Sequence, residues 1–471
     1  MKGKQMNSAE SPSKQNIGDD IQKIIRTYKT PFYLYKEEVL RSVCGKVRET
    51  LPGIGLCFAM KAAPVLTGVM NRFADRLEVC SPGEFEICQR AGIAPEKILI
   101  SGVNKSPESV QRFLECAGEK AQYTIESERH LQLLEEGAGK AGKKLTCYIR
   151  LSSGNQFGVD RDVFWRILDV IESSRHLAFA GVHFFSGTQK PGKRIEKELC
   201  MLADFGQELE KRIGRKAELE YGPGLAITYF ETKKKEPDPE DVSGDQTKTD
   251  QAGLTMGHAS EDTIQNLSDS VEMSGIRDSF SGITFEYGRF LAAESADYYT
   301  AVADLKETDG VRYAILEGGI HQVAYYGSMS GMKIPQLDVI RMTGEAENPD
   351  DAKTDDNMDG IYDSRKTDGN TSGSDDTKKT DDTAKADYVL AGSLCSVNDI
   401  LARSVSLPSL SIGDVIRFPL AGAYALTEVP ALFLSRDLPS ILLFESSGNI
   451  RKLRDHIQTN GINDGSMALS L

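Results

Sequence analysis

Between residues 37 and 285, short apolar runs alternate with amphipathic stretches of helical period. An apolar run bounded by turn residues predicts a buried strand, and apolar residues three or four apart predict a helix. The predicted strands are Gly55–Met60, Leu77–Cys80, Lys97–Ser101, Gln122–Ile125, Leu145–Leu151, Phe179–Phe185, Ala217–Tyr221 and Ile283–Phe285. The predicted helices include Ala63–Asp75, Gly83–Ala91, Ser106–Cys116, Ser127–Glu136, Asp160–Ser173 and Lys193–Ile213. About eight β-then-α units predict an α/β fold, a parallel (β/α)8 barrel over residues 37–285.

From residue 286 to residue 471 the pattern changes to short apolar runs that glycine and proline separate. Such runs predict antiparallel strands, here Tyr388–Leu390, Asp414–Pro419 and Ala431–Leu434, and therefore a C-terminal β-domain. Phe32–Tyr35 is predicted to supply its first strand. The segment 21–36, which precedes the barrel in sequence, would therefore belong to this domain.

Three polar segments contain few apolar residues and are predicted to be disordered, because they cannot bury enough surface to offset their ordering entropy. They are the N-terminal tail 1–20, the insert 231–259 in the barrel and the acidic insert 345–387 in the β-domain. A short helix is predicted after the first insert, with Ser260 as its N-cap.

Charge and composition exclude several classes of protein. The net charge is −14, but the two inserts carry −3 and −8 of it, so it indicates little about the substrate and gives no support for nucleic-acid binding. No apolar run approaches the roughly 20 residues that span a bilayer, and the polar N-terminus lacks a secretory signal. The eight cysteines form no CxxC pair, which is typical of reduced thiols in the cytoplasm and predicts no metal site.

Two candidate groups follow predicted barrel strands, at the end where such barrels carry their catalytic residues. Lys61 follows the first strand; a desolvated lysine has a lowered pKa and can form a Schiff base, but the spacing also fits a lysine that extends to solvent. The turn Gly222-Pro223-Gly224 could cradle a phosphate with backbone N–H groups, or could be a plain turn.

Other candidates also have two interpretations at this point. Glu286 and Arg289 lie three residues apart at a strand end, and they could form part of a functional site or a surface ion pair. His183 fits a base or a core histidine. Cys395 fits a reactive thiol or a small buried apolar residue.

Taken in order, these clusters resemble the fold-type III pyridoxal-phosphate decarboxylases, the group of ornithine, diaminopimelate and arginine decarboxylases. Thr30–Tyr35 resembles the opening strand of that family, and Phe58-Ala-Met-Lys-Ala62 resembles its Tyr-Ala-x-Lys-Ala motif with the Schiff-base lysine. The other similar segments are 78–84, 125–128, 156–160, 181–189, 222–224, 286–289, 394–395 and 421–424. The similarity covers residues 30–445 outside the two inserts.

The resemblance implies pyridoxal 5'-phosphate on an alanine-racemase-like barrel, with Lys61 holding the cofactor and Cys395 returning a proton after carbon dioxide leaves. Glu286 would face the pyridine nitrogen. The other implied cofactor contacts are His183, Phe185, Ser186, Gly222, Gly224, Arg289 and Tyr424. Tyr325 and Asp399 are the implied substrate contacts. Because the cysteine and the tyrosine of the family come from opposite subunits, the resemblance also implies a homodimer with shared sites.

Three departures from the family pattern bear on function. Phe185 stands at the second histidine of His-Phe-His, Pro223 removes one amide donor, and Ser396 replaces the glutamate of diaminopimelate decarboxylases that recognises the distal ammonium. The segment Phe184-Phe-Ser-Gly-Thr-Gln189 resembles the subgroup tied to secondary-metabolite or exopolysaccharide gene clusters.

The sequence predicts a cytoplasmic amino-acid decarboxylase similar to the diaminopimelate and ornithine enzymes. The alternatives are a decarboxylase of a carrier-linked amino acid, an amino-acid racemase, which would carry arginine in place of Glu286, and a cofactor-free regulatory homologue.

Overall fold

The computed structural model describes residues 17–231, 258–342 and 385–464. Its helices are α1 Ile17–Tyr28, α2 Glu37–Thr50, α3 Thr67–Met70, α4 Pro82–Arg90, α5 Pro107–Cys116, α6 Glu128–Ala141, α7 Arg161–Ser173, α8 Gly192–Ile213, α9 His258–Ser274, α10 Arg289–Ala292 and α11 Asn460–Asn463. Its strands are β1 Phe32–Lys36, β2 Gly55–Ala59, β3 Arg76–Val79, β4 Ile98–Ile100, β5 Gln122–Ile125, β6 Leu145–Arg150, β7 Leu177–Phe185, β8 Glu218–Gly222, β9 Gly282–Tyr287, β10 Ala296–Thr308, β11 Val311–Leu316, β12 Asp338–Ile340, β13 Lys385–Ala391, β14 Ile400–Pro408, β15 Val415–Phe418, β16 Ser440–Phe444 and β17 Ile450–Arg454.

Strands β2 to β9 form a closed parallel barrel, as predicted. The barrel closes where β2 pairs with β9, which places Cys57 opposite Glu286. Several helices begin at a serine that follows a strand: the hydroxyls of Ser81, Ser106 and Ser127 each accept a hydrogen bond from the amide three residues later. These caps satisfy amides that the first helical turn leaves unpaired, so each β-to-α turn is encoded locally.

The β-domain is a second, mixed sheet built around the N-terminal strand. β1 pairs antiparallel with β10 and parallel with β16. The described strands follow the order β14-β13-β11-β10-β1-β16-β17, and β15 pairs with β10 and β12. The first strand of the chain is thus fastened in the middle of a sheet whose other strands all follow the barrel.

Some local predictions were wrong. The stretch 63–75 is not one helix: Pro64 begins a separate 3-10 turn, and the helix α3 is limited to four residues. The run 431–434 is not a strand. It leads into a 3-10 turn at Phe433–Ser435, whose backbone bonds include the Phe433 amide donating to the Pro430 carbonyl.

The structure also corrects the edges of the predicted disordered segments. Helix α1 begins at Ile17, inside the predicted tail 1–20. Helix α9 begins at His258, so Ser260 lies within the helix and is not its N-cap, and the insert ends before 258. Strand β13 begins at Lys385, inside the predicted acidic insert. The rest of these predictions falls on 1–16, 232–257 and 343–384, outside the described residues.

Candidate active site

A cavity of about 370 Å³ opens at the C-terminal ends of β2, β7, β8 and β9. That volume is within the range of about 300–1,000 Å³ typical of small-molecule sites. Charged and aromatic side chains from both domains meet there. The lining includes Lys61, Phe185, Gly187, Thr188, Gly224, Glu286, Arg289, Tyr326, Tyr424 and Glu428.

Lys61 lies at the centre of a cluster of acidic groups. Its Nζ is 2.6 Å from Glu78 Oε2, 3.5 Å from Glu286 Oε1 and 3.6 Å from Cys80 Sγ. Burial by itself would lower the pKa of Lys61, but Glu78, Cys80 and Glu286 together raise it well above its usual value. The lysine side chain is still 34% exposed, through the cavity, so its amine is accessible to a small molecule.

Glu286 is the buried carboxylate that faces this lysine. Its side chain is 4% exposed, and Oε2 lies 3.2 Å from His183 Nε2. Burial opposes ionisation, but Lys61 and the hydrogen bond from His183 outweigh it and lower the pKa of Glu286 to about 2. Glu286 is therefore an anion at neutral pH, with a donor on either side.

The glycines of the turn 222–224 are required by close packing. A Cβ on Gly222 would lie 2.4 Å from the ring of Phe185, and a Cβ on Gly224 would lie 2.2 Å from the carbonyl oxygen of Gly187. Gly224 also has a positive φ of 60°, which an L side chain rarely adopts. The turn therefore brings bare backbone to the wall of the cavity.

Arg289 carries the positive charge at the same wall. Its guanidinium carbon lies 4.5 Å from the ring centre of Tyr424 and 5.0 Å from that of Tyr326. Its Nη1 donates to the hydroxyl of Tyr229 over 3.0 Å. Its Nε has no hydrogen-bond partner among the described residues, although the side chain is buried. A buried donor without a partner indicates that a ligand or water completes this position.

Three of the predicted cofactor contacts, His183, Ser186 and Gly222, are not among the residues that line the cavity, and Ser186 points elsewhere. Its hydroxyl bonds to Glu198 and accepts from Lys190, and it does not line the cavity. Thr188, two residues later, lines the cavity instead. Because residues alternate faces along β7, Ser186 shares the face of Phe184 and not that of Phe185. Thr188 also stands at the serine of the family's His-x-His-x-Gly-Ser pattern, a signal that could have identified it.

The predicted substrate contacts, Tyr325 and Asp399, and the predicted catalytic Cys395 do not line the cavity. Asp399 is buried, and its carboxylate accepts hydrogen bonds from the backbone amides of Ile320 and Leu394. The hydroxyl of Tyr325 donates to the carbonyl of Pro419 over 2.5 Å. Cys395 is exposed and lies outside the cavity lining.

Sequence reasoning also missed Glu78, Cys80 and Tyr326. Glu78 and Cys80 lie in a segment that matched the family pattern, at the end of the strand next to that of Lys61. Their alternation with buried Val79 indicates that both side chains point the same way. Tyr326 follows Tyr325 in a segment that is neither helix nor strand, so no hydrophobic periodicity indicates which of the two side chains faces the cavity.

A scan against family models matches residues 37–293 to "Pyridoxal-dependent decarboxylase, pyridoxal binding domain". This match covers more than half of the chain. The chain belongs to this family. It is a carboxy-lyase that acts on an amino acid, and its cofactor is pyridoxal 5'-phosphate.

Curated relatives of this decarboxylase cover nearly its whole length. The L-glutamyl-[BtrI acyl-carrier protein] decarboxylase of Niallia circulans is 26% identical over 92% of this chain and 93% of its own. The diaminopimelate decarboxylase of Helicobacter pylori strain J99 is 26% identical over 86% of this chain and 87% of its own. Among solved structures, diaminopimelate decarboxylase from M. jannaschii in a co-complex with L-lysine has a TM-score of 0.70 and 18% identity, covering 93% of this chain and 92% of that one. Its likeness concerns the fold.

The residues of the cavity fit this cofactor. Its phosphate requires donors and close backbone approach, which Arg289 with its unpaired Nε and the cramped turn 222–224 provide. Its aldehyde requires an accessible amine, and its pyridine nitrogen a nearby anion, which Lys61 and Glu286 provide.

Within the described ranges, no helix is both long and apolar enough to cross a membrane.

Proposed function

We propose that this decarboxylase removes the α-carboxylate of an amino acid that is bound to a carrier protein through its side-chain carboxyl group. The α-carboxyl must be free in order to leave as carbon dioxide, so a carrier link on an acidic amino acid has to use the other carboxyl. The Niallia circulans relative, named for a glutamyl carrier protein, supports this choice.

The observation that carries the proposal is the charge, hydrogen bonding and exposure of residues 396–399, which follow Cys395. Ser396 has no charge with which to bind a distal ammonium. The carboxylate of Asp399 already accepts two backbone amides. Val397 is 89% exposed. This segment therefore offers no anion to a diamino acid and leaves room for a larger, neutral link.

In the proposed mechanism, Lys61 would supply the amine that holds the cofactor, and the cavity leaves this amine accessible to a substrate. The cofactor, when bound, supplies the electron sink that accepts the electron pair as the bond to the carboxylate breaks. Glu286 would hold a proton on the pyridine nitrogen through its negative charge, and His183 orients the Glu286 carboxylate. A racemase would carry arginine in place of Glu286, so this anion supports decarboxylation.

The other contacts divide by chemistry. Arg289, Thr188, Gly224 and Tyr424 line the cavity and would hold the phosphate, and Gly222 would shape the turn beside it. Phe185 packs its ring against the turn and can stack, but it cannot form a hydrogen bond.

Cys395 returns a proton to the α-carbon after carbon dioxide leaves, acting on the site of a second subunit. Its exposure, and its position outside the cavity of its own protomer, support this assignment. The protein is then a homodimer in which each site contains residues of both chains.

Mixing two impaired variants tests the shared site. Lys61→Ala and Cys395→Ala homodimers should each have low activity. A mixed dimer has one site that carries both changes and one that carries neither, so mixing after subunit exchange should restore activity. If mixing restores nothing although mixed dimers form, Cys395 does not act across subunits.

A free diamino acid is the second candidate. Glu428 lines the cavity and is a carboxylate that could bind a distal ammonium.

Carbon dioxide release separates the two candidates. The substrates are glutamate joined through its γ-carboxyl to the pantetheine arm of an acyl carrier protein, free glutamate, diaminopimelate, ornithine and lysine. We expect release from the carrier-linked glutamate, and none with Lys61→Ala. Faster release from a free diamino acid, abolished by Glu428→Gln, would contradict the carrier proposal.

A further inference from the structure

A second lysine, Lys190, lies behind the turn 222–224 and is almost completely buried. Its side chain is 1% exposed. Its Nζ donates to the carbonyl of Gly222 over 3.0 Å and lies 2.6 Å from Glu198 Oε2. Lys190 does not line the cavity, whereas Gly224 does. The ammonium therefore holds the turn from the side away from the cofactor.

The main chain at Lys190 is fastened to the same turn. The amide of Lys190 donates to the carbonyl of Gly224 over 2.9 Å. Next to it, the side-chain amide of Gln189 donates to the carbonyl of Ile227 and accepts from the amide of Ile227. Residues 189–190 thus contact the turn at Gly222 and Gly224, and the chain that follows it at Ile227.

These contacts matter because of how a backbone turn binds phosphate. Amide N–H groups attract the anion, and carbonyl oxygens that face it repel it. Pro223 has no N–H, so the turn has fewer donors than a run of three glycines. The carbonyls of Gly222 and Gly224 both accept hydrogen bonds from Lys190, which keeps these two oxygens away from the phosphate.

Glu198 makes the buried ammonium possible. Besides Lys190, it accepts from the hydroxyl of Tyr221 over 2.9 Å and from Nε of Arg194 over 3.1 Å. Burial opposes ionisation of Glu198, but the hydrogen bonds from Lys190 and Ser186 lower the pKa of its carboxyl. A buried ion pair contributes little net stability, because desolvation offsets the attraction. Net stability therefore does not explain this ion pair, whereas a role in positioning the turn does.

We propose that Lys190 and Glu198 are positioning residues that order the turn 222–224 and thereby set the affinity for the phosphate of pyridoxal 5'-phosphate. This inference rests on the proposed phosphate role of the turn. It concerns the phosphate alone, since neither residue lines the cavity in which the pyridine ring would lie.

The test compares the dissociation constants of the apoprotein for pyridoxal 5'-phosphate and for pyridoxal, which lacks the phosphate. In the double variant Lys190→Met/Glu198→Gln, which removes both charges, we expect the constant for pyridoxal 5'-phosphate to rise at least about tenfold. The constant for pyridoxal should change by less than about twofold. The control Lys36→Met/Asp297→Asn removes the buried ion pair between β1 and β10, 3.0 Å long, and should leave the ratio of the two constants unchanged.

Each outcome decides a different point. A ratio in the Lys190/Glu198 variant equal to that of the wild type overturns the inference, even if the melting temperature falls. A wild-type protein that binds both compounds equally would instead refute the phosphate role of the turn. Lys190→Arg, which keeps the charge, should restore part of the preference for pyridoxal 5'-phosphate over pyridoxal. If the double variant does not fold, the same comparison on Lys190→Arg and Glu198→Asp must show a smaller preference for pyridoxal 5'-phosphate than the wild type shows.

Discussion

Two lysines of this protein form equally short ion pairs but differ in their surroundings. Lys61 lies 2.6 Å from Glu78, and Lys190 lies 2.6 Å from Glu198. The Lys61 side chain is 34% exposed through the cavity, whereas that of Lys190 is 1% exposed. The acceptors differ as well: among the described residues Lys61 contacts the side chains of Glu78, Cys80 and Glu286, whereas Lys190 also donates to a backbone carbonyl. A carboxylate partner alone therefore does not identify a reactive lysine; access from the cavity does.

Lys105 extends the comparison to a lysine that forms no ion pair within 4.0 Å among the described residues. Its Nζ donates to the carbonyl of Gly102 over 2.8 Å. Burial lowers the pKa of Lys105 to about 8, although Glu126 opposes the shift. The barrel domain thus contains a paired lysine that is open to the cavity, Lys61, a paired lysine that is buried, Lys190, and a buried lysine without an ion pair, Lys105.

The largest expected effect is the loss of Lys61. Lys61→Ala should lower the rate of decarboxylation by several powers of ten, because no other described lysine lines the cavity to attach the cofactor. The rate of carbon dioxide release at saturating cofactor measures it. Lys216→Ala, at an exposed lysine before β8, is the control and should retain the rate. Near-native turnover of Lys61→Ala would refute the assigned role of this lysine.

Glu286→Gln should have the next largest effect. The amide keeps the shape of the side chain but loses the charge that would face the pyridine nitrogen. A decrease of about 10²–10³ in kcat is expected, the usual cost of removing an electrostatic partner of the transition state. The assignment fails if kcat is unchanged while the cofactor remains bound.

Lys105 predicts a pH dependence of stability. The unfolded chain keeps the lysine proton to about pH 10.5, whereas the folded protein releases it above about pH 8. Between these values the unfolded state binds more protons, so the free energy of unfolding gains up to about 3 kcal/mol from this group as pH rises. Urea unfolding at several pH values should show this gain in the wild type and its loss in Lys105→Met. Parallel curves for the two proteins would contradict the lowered pKa.

The smallest effect distinguishes Thr188 from Ser186. Thr188→Val should weaken binding of pyridoxal 5'-phosphate about fivefold, the value of one neutral hydrogen bond. Ser186→Ala should weaken it by less than about twofold, because its hydroxyl faces Glu198. Cofactor titration of the two apoproteins measures both. The reverse order would show that Ser186 and not Thr188 contacts the phosphate.

The barrel could be predicted from the sequence because its strands are apolar runs and several of its helices begin at a capping serine, as at Ser81 and Ser127. The irregular segments could not. Pro64 and Pro430 each begin a turn within stretches that look regular by composition alone. Ser186 was misplaced because the resemblance indicated a hydroxyl near β7, whereas the alternation of the strand decides which hydroxyl faces the cavity.

The central claim is that Lys61, and not its buried counterpart Lys190, holds the cofactor. Reduction of the holoenzyme with borohydride fixes the cofactor to the amine that carries it, and mass spectrometry of the digested protein then locates the label. The account predicts one labelled peptide, which contains Lys61, in an amount equal to the bound cofactor. Label on the peptide that contains Lys190, or no label on Lys61 in a protein that has bound the cofactor, would contradict it.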